Sequence, residues 1–190
     1  MGIAGCILAG GAGTRMGGRD KGLVSWRGRP LVEWVMERFQ PQVDCLMISA
    51  NRHLDQYRRY GLPVISDAAV EFTGPLAGIE RALAASPQPL VAVVPCDAPR
   101  LPADLVYRLH QALQAADADI AYAVTDDGDQ PVFCLLKKSL QADLSQFLHA
   151  DGRKVTHWFA RWHVVTVPFG DIADAFANVN TSESLHTLHP

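Results

Sequence analysis

The sequence predicts a three-layer α/β protein, a mostly parallel β-sheet with helices on both faces. Three observations carry that expectation. Short apolar runs alternate with amphipathic stretches along most of the chain, the pattern of repeated strand–helix units. The run at 90–94 is apolar at every position, as a strand covered on both faces requires. The first apolar run, at 3–8, passes directly into a glycine-rich loop. In open α/β sheets ligands bind at the carboxyl ends of the strands, where that loop must lie.

In chain order, residues 3–8 form the first buried strand. Pro30 suits the first turn of a helix that turns Leu31, Val35, Met36 and Phe39 inward. Residues 43–49 and 62–65 read as the second and third strands. A helix at 75–85 is entered through Thr73-Gly74-Pro75, and the central strand at 90–94 follows. Pro102 opens a helix through about residue 115. Runs at 120–124 and 132–136 flank the polar turn Asp126-Asp127-Gly128-Asp129 and read as an antiparallel pair. Helices at 140–148 and 154–159, a strand at 164–167 and a helix at 182–188 complete the chain. Without repeats, low-complexity tracts or long linkers, residues 1–190 read as a single domain.

The chain is 48% hydrophobic and carries a formal net charge of -3. A protein that binds nucleic acid through its phosphates carries a basic surplus, so nucleic acid is not an expected partner. A small nucleotide is compatible, because a few well-placed cations hold a triphosphate. Met1-Gly2-Ile3-Ala4-Gly5-Cys6 has no basic n-region, and no apolar run reaches the ~20 residues of a membrane helix. The cytoplasm is the expected compartment, with no membrane partner. Cys6, Cys45, Cys96 and Cys134 form no CxxC pair and read as reduced, buried thiols rather than zinc ligands. The seven histidines form no ligand motif.

The segment from Leu8-Ala9-Gly10-Gly11-Ala12-Gly13-Thr14-Arg15-Met16-Gly17 to Lys21 is the most informative. Its glycines bring backbone N–H groups against phosphate oxygens, and Arg15 and Lys21 add positive charge. It is not a Walker A loop, since no Gly-Lys pair occurs. Nor is it a dinucleotide fingerprint, since Met16 stands where GxGxxG needs its third glycine. Asp97, just past the buried strand, is the expected ligand of a hard divalent cation, which takes a carboxylate together with phosphate oxygens and water. Asp67 follows its strand in the same way. Side chains of Ser49-Ala50-Asn51-Arg52-His53 sit where a base or ribose can be hydrogen-bonded. The glycines of Thr73-Gly74-Pro75-Leu76-Ala77-Gly78 leave room for a flat ring. Asp129-Gln130-Pro131 and Asn178-Val179-Asn180-Thr181 are further candidates, with Thr181 placed to cap a helix.

These motifs, in this order from Ile3 to Leu188, resemble the nucleotidyltransferases of the nucleotide-diphospho-sugar transferase fold, and among them the molybdenum cofactor guanylyltransferases of the MobA type. The resemblance implies a Rossmann-like three-layer fold. It implies that the backbone of Leu8, Ala9, Gly10, Gly11 and Gly13 holds the base and phosphates of GTP, with Arg15 and Lys21 neutralising the triphosphate. It gives Asp97 to Mg²⁺, and Asp67, Pro75 and Gly78 to the nucleotide. Related guanylyltransferases read Asn-Ala-Asn where this chain has Ser49-Ala50-Asn51, so Ser49 departs from the pattern and Asn51 keeps it. Asn178 and Asn180, with Gln130, fall to the acceptor side. Leu-Ala-Gly-Gly, rather than Leu-Ala-Ala-Gly, and the late asparagines favour guanylyl over cytidylyl transfer. The implied reaction joins GMP from GTP to the terminal phosphate of molybdopterin and releases pyrophosphate. Cofactor-delivery and molybdoenzyme maturation proteins are the implied partners, and a monomer is expected. The competing readings are a cytidylyl or sugar-nucleotide transferase of the same fold, a catalytically silent GTP-binding module in molybdoenzyme assembly, and a P-loop GTPase, which the missing Gly-Lys-Ser/Thr step disfavours.

Overall fold

The computed structural model describes residues 2–10, 20–66 and 74–177, with the backbone alone at 173 and 174. Its strands are β1 (Ile3–Leu8), β2 (Ser25–Trp26), β3 (Arg29–Pro30), β4 (Cys45–Ser49), β5 (Val64–Ile65), β6 (Leu90–Pro95), β7 (Ile120–Thr125), β8 (Gly128–Lys137) and β9 (Val164–Pro168). Its helices are α1 (Leu31–Phe39), α2 (Leu54–Arg58), α3 (Pro75–Ala85), α4 (Leu105–Ala115), α5 (Gln141–His149) and α6 (Val155–Phe159). β2 and β3 pair only with each other. The other seven strands form one sheet in the order β5-β4-β1-β6-β8-β7-β9. Only β8 runs against its neighbours, so the sheet is mostly parallel, as the sequence predicts.

The uninterrupted apolarity of β6 follows from its place between β1 and β8. Leu90, Ala92 and Val94 face the layer of α1 and α4, and Val91 and Val93 face the layer of α3, α5 and α6. In α1, Leu31, Val32, Val35 and Phe39 are fully buried, a one-face spacing. Met36 flanks that face and is only partly buried. The Asp126–Asp127 turn joins β7 to β8 as the antiparallel pair read from the sequence, with a register shift between Tyr122 and Ala123.

Several boundaries differ from expectation, for physical reasons. α4 begins at Leu105 rather than Pro102. Gln42 holds that entry from outside the helix: its Oε1 accepts the Val106 N–H at 3.0 Å, and its Nε2 donates to the Pro102 carbonyl at 2.8 Å. Pro102 is thereby a fixed point before the helix, not its first turn. β4 and β5 begin two residues later than the runs at 43–49 and 62–65. The β2–β3 hairpin was not expected. Its turn, Arg27 at φ 52 and Gly28 at φ 79, uses arginine where asparagine or aspartate usually signals such a loop. The hairpin leans on α1 through the Trp26–Trp34 edge contact, 5.1 Å between centroids. The one-turn helix α2 was not expected either.

No helix among the described residues is long and apolar enough to cross a membrane. All four cysteines are free; Cys6, Cys96 and Cys134 are buried and Cys45 is partly exposed. The helix expected at 182–188 lies outside the described residues.

Candidate active site

Three parallel strands end level with one another: Leu8 of β1 stands beside Ser49 of β4 on one side and Pro95 of β6 on the other. The ladder runs one step further, with Ala9 N–H donating to the Ser49 carbonyl at 2.7 Å and Cys96 N–H to the Leu8 carbonyl at 3.1 Å. Gly10, Asn51 and Asp97 therefore emerge side by side at the carboxyl edge. From β1 the chain goes to β4 and β5 on one side, then crosses to β6 on the other. The crevice between β1 and β6 is thus the switch point of the sheet, the place where such sheets bind ligands.

Asp97 stands at that crevice and is only 6% exposed. Lys21 reaches it from a separate segment, its Nζ 3.1 Å from Asp97 Oδ2. The lysine opens a single 3₁₀ turn, Lys21–Leu23, capped by Asp20. Asp20 Oδ1 accepts the Gly22 N–H at 3.2 Å and the Tyr57 hydroxyl at 2.6 Å, and both contacts are buried. Gly22 leaves room for the Tyr57 contact, because a Cβ would stand 2.5 Å from Tyr57 Oη and 3.3 Å from Cys96 Sγ. Burial, and then the neighbouring Asp97 and Asp20, push the Cys96 thiol well above its usual range, with Lys21 opposing less strongly. Cys96 therefore stays a neutral thiol packed in the interior. Burial likewise raises Cys6 to about 12.

The remaining candidates fall into three groups. Asn51 is exposed, and its Nδ2 lies 3.3 Å from where a Cβ on Gly10 would stand, so the two loops meet closely. Ser49 and Gly78 face each other in the interior. Ser49 is 3% exposed, and a Cβ on Gly78 would lie 3.0 Å from its hydroxyl and 2.7 Å from Leu8 Cδ2. These two residues set the first turns of α3 against the strand ends. Gly74, at φ 94, turns the chain into α3, and exposed Pro75 takes its first position. Gln130 lies on β8, which runs on past the end of β6, and its Nε2 donates to Thr125 Oγ1 at 3.4 Å. Gly11, Gly13, Arg15, Asp67, Asn178 and Asn180 lie outside the described residues.

No three His, Cys, Asp or Glu side chains cluster as a metal cage among the described residues. Asp97, a nearly buried carboxylate at a ligand crevice, fits a different kind of site. A hard divalent cation such as Mg²⁺ uses one or two carboxylates and completes its shell with phosphate oxygens and water. The residues missing from the sequence reading are Asp20 and Tyr57. An aspartate directly before the lysine, with Gly22 two positions on, is the local signature of a side-chain-capped turn and was there to be read. Tyr57 had no such signal.

A family model described as "MobA-like NTP transferase domain" matches residues 5–165. A protein of Shewanella halifaxensis named molybdenum cofactor guanylyltransferase is 46% identical over 182 residues, 96% of this chain and 91% of that one. One of the same name from Cupriavidus pinatubonensis is 47% identical over 190 residues, 97% of this chain and 95% of that one. Among solved structures, the molybdopterin-guanine dinucleotide biosynthesis protein A of Archaeoglobus fulgidus superposes with a TM-score of 0.80 at 24% identity, covering 96% of this chain and 95% of that one. The 4-diphosphocytidyl-2C-methyl-D-erythritol synthase of Anaerococcus prevotii gives 0.75 at 16% identity, over 97% and 92%. The two superpositions bear out the predicted fold of nucleotide-diphospho-sugar transferases. With the family model covering most of its length, the chain belongs to the MobA-like NTP transferase family.

Proposed function

We propose that this protein transfers GMP from GTP to the terminal phosphate of molybdopterin, forming the guanine dinucleotide cofactor and pyrophosphate. The observation that carries the proposal is the Lys21–Asp97 contact of 3.1 Å at the switch-point crevice. It occurs in a chain whose relatives, 46–47% identical along nearly their full length, bear the name molybdenum cofactor guanylyltransferase.

In the proposed step an oxygen of the acceptor phosphate attacks the α-phosphorus of GTP, the bond from that phosphorus to the bridging oxygen breaks, and pyrophosphate leaves with the electron pair. The attacking oxygen is already ionised, so no strong general base is needed. The protein's work is in-line positioning and neutralisation of charge. Lys21 holds its ammonium against the triphosphate and, with Arg15, offsets charge that builds on the leaving group. Asp97 would hold Mg²⁺, which supplies Lewis-acid stabilisation of the phosphoryl oxygens. Asn51 and Asp67 bind the base and ribose side, Pro75 and Gly78 shape the wall over the purine through α3, and Gln130, Asn178 and Asn180 face the acceptor. The four free thiols suit a reducing cytoplasm, where the product passes to cofactor-delivery and maturation proteins.

The test is pyrophosphate release by the purified protein with Mg²⁺ and molybdenum-loaded molybdopterin, with GTP, CTP, ATP and UTP in parallel. Release with GTP alone, abolished by EDTA, is the expected result. Release with CTP instead keeps the mechanism and overturns the base. Binding of GTP with no release from any nucleotide makes the chain a silent binding module.

A further inference from the structure

Lys21 is held by its neighbours in an unusual way. The carboxylate of Asp20 directs one oxygen, Oδ1, to both the Gly22 N–H and the Tyr57 hydroxyl. Among the described residues its other oxygen, Oδ2, is buried with no hydrogen-bond partner. As a stability device this is poor. Asparagine or serine caps a turn about as well as aspartate, and a buried unsatisfied carboxylate oxygen costs stability. What the arrangement does supply is orientation. The 3₁₀ turn is closed by Leu23 N–H to the Asp20 carbonyl and Val24 N–H to the Lys21 carbonyl, both 3.1 Å. Lys21 thus leaves a fixed backbone, and its Nζ meets Asp97.

Tyr57 comes from another part of the site. It is wholly buried on α2, the helix that follows directly on Asn51-Arg52-His53. Burial first, then the Cys96 thiol and the Asp20 carboxylate, raise its phenol, so it stays protonated and donates. Its hydroxyl passes over Gly22, which lacks the side chain that would block it, and lies close to Cys96 at the end of β6.

We propose that Asp20 and Tyr57 are positioning residues that aim Lys21 at Asp97 and tie the lysine turn to the loop carrying Asn51. The pair touches no reacting atom and works through Lys21. This rests on the nucleotidyl-transfer reading above, and the test separates the two.

The experiment is a double-mutant cycle on the full chain, with kcat/KM for GTP measured for the parent, Tyr57→Phe, Lys21→Ala and the double variant. Tyr57→Phe, which removes one buried hydrogen bond, is expected to lower kcat/KM about tenfold in the parent. In the Lys21→Ala background the same change is expected to cost less than about twofold, because the group it positions is gone. A purely structural role would give the same factor in both backgrounds. Equal factors, or no loss from Tyr57→Phe in the parent, overturn the proposal. Asp20→Ala, which removes the acceptor of both bonds, is run through the same cycle if Tyr57→Phe fails to fold. Should the parent release no pyrophosphate from any nucleotide, the reaction reading falls instead. The cycle is then read from tripolyphosphate affinity by calorimetry, where the same two factors decide.

Discussion

Replacing Gly22 by alanine tests how tightly the lysine turn is built. Gly22 does not have a positive φ, so alanine meets no backbone strain there and the effect is steric. Its Cβ would stand 2.5 Å from Tyr57 Oη, against about 3.4 Å for ordinary contact, so the hydroxyl must retreat by about 0.9 Å. Tyr57 is fully buried and bonded to Asp20 at 2.6 Å. A retreat of that size stretches the bond to about 3.5 Å, beyond useful range. Overpacking costs about 1–3 kcal/mol and the lost buried hydrogen bond about 1–2 kcal/mol, while alanine returns about 0.5 kcal/mol by restricting the unfolded chain. The net loss of about 1.5–4.5 kcal/mol lowers Tm by about 3–18 °C in a chain of this size, read by calorimetry. The double variant Gly22→Ala/Tyr57→Phe removes the oxygen that the new methyl strikes, so it should melt above Gly22→Ala alone. A Tm within about 2 °C of the parent, or a double variant no more stable than Gly22→Ala, refutes the reasoning.

Lys21→Ala and Asp97→Ala should each lower turnover by roughly 10²–10³-fold, the usual loss for one preorganised electrostatic group, and near-normal turnover in Asp97→Ala would remove it from the metal site. Alkaline pH should weaken the fold through Cys6. A thiol whose folded pKa is raised from 9.0 to about 12 contributes stability that is full below about pH 9 and falls by about 1.4 kcal/mol per pH unit up to pH 12. Cys6→Ala should therefore show a shallower decline of Tm with pH above about 9, and parallel curves would count against the burial of that thiol.

The sheet's centre was legible because its burial is two-sided. β1, α3 and β6 lie where the sequence puts them, since a strand covered on both faces leaves an unbroken apolar run and α3 is marked by Gly74-Pro75 at its entry. Lys21 and Asp97 were legible as members of two strand-end motifs, but their 3.1 Å contact was not, because 76 residues separate them. The β2–β3 hairpin and α2 escaped because each is too short to show a period, and the hairpin turn lacks its usual asparagine. Tyr57 escaped for a stronger reason. In Leu54-Asp55-Gln56-Tyr57-Arg58-Arg59 it sits among charged residues and reads as surface. Its burial comes from Asp20, Gly22 and Cys96, which the chain delivers from elsewhere.

Charge at the site then bears on what it can bind. A net charge of -3 gives the protein no general attraction for a triphosphate. Among the described residues the Lys21 ammonium at the crevice meets the Asp97 carboxylate, with the buried Asp20 carboxylate directly before it in the chain. Lys21 is already matched to Asp97, and a phosphate that takes the ammonium leaves a nearly buried carboxylate to be compensated. On the nucleotidyl-transfer reading proposed above, a divalent cation held by Asp97 would supply that compensation. On that reading Lys21 and Asp97, 3.1 Å apart, would be a matched pair in which each group exchanges its partner for one part of the same ligand.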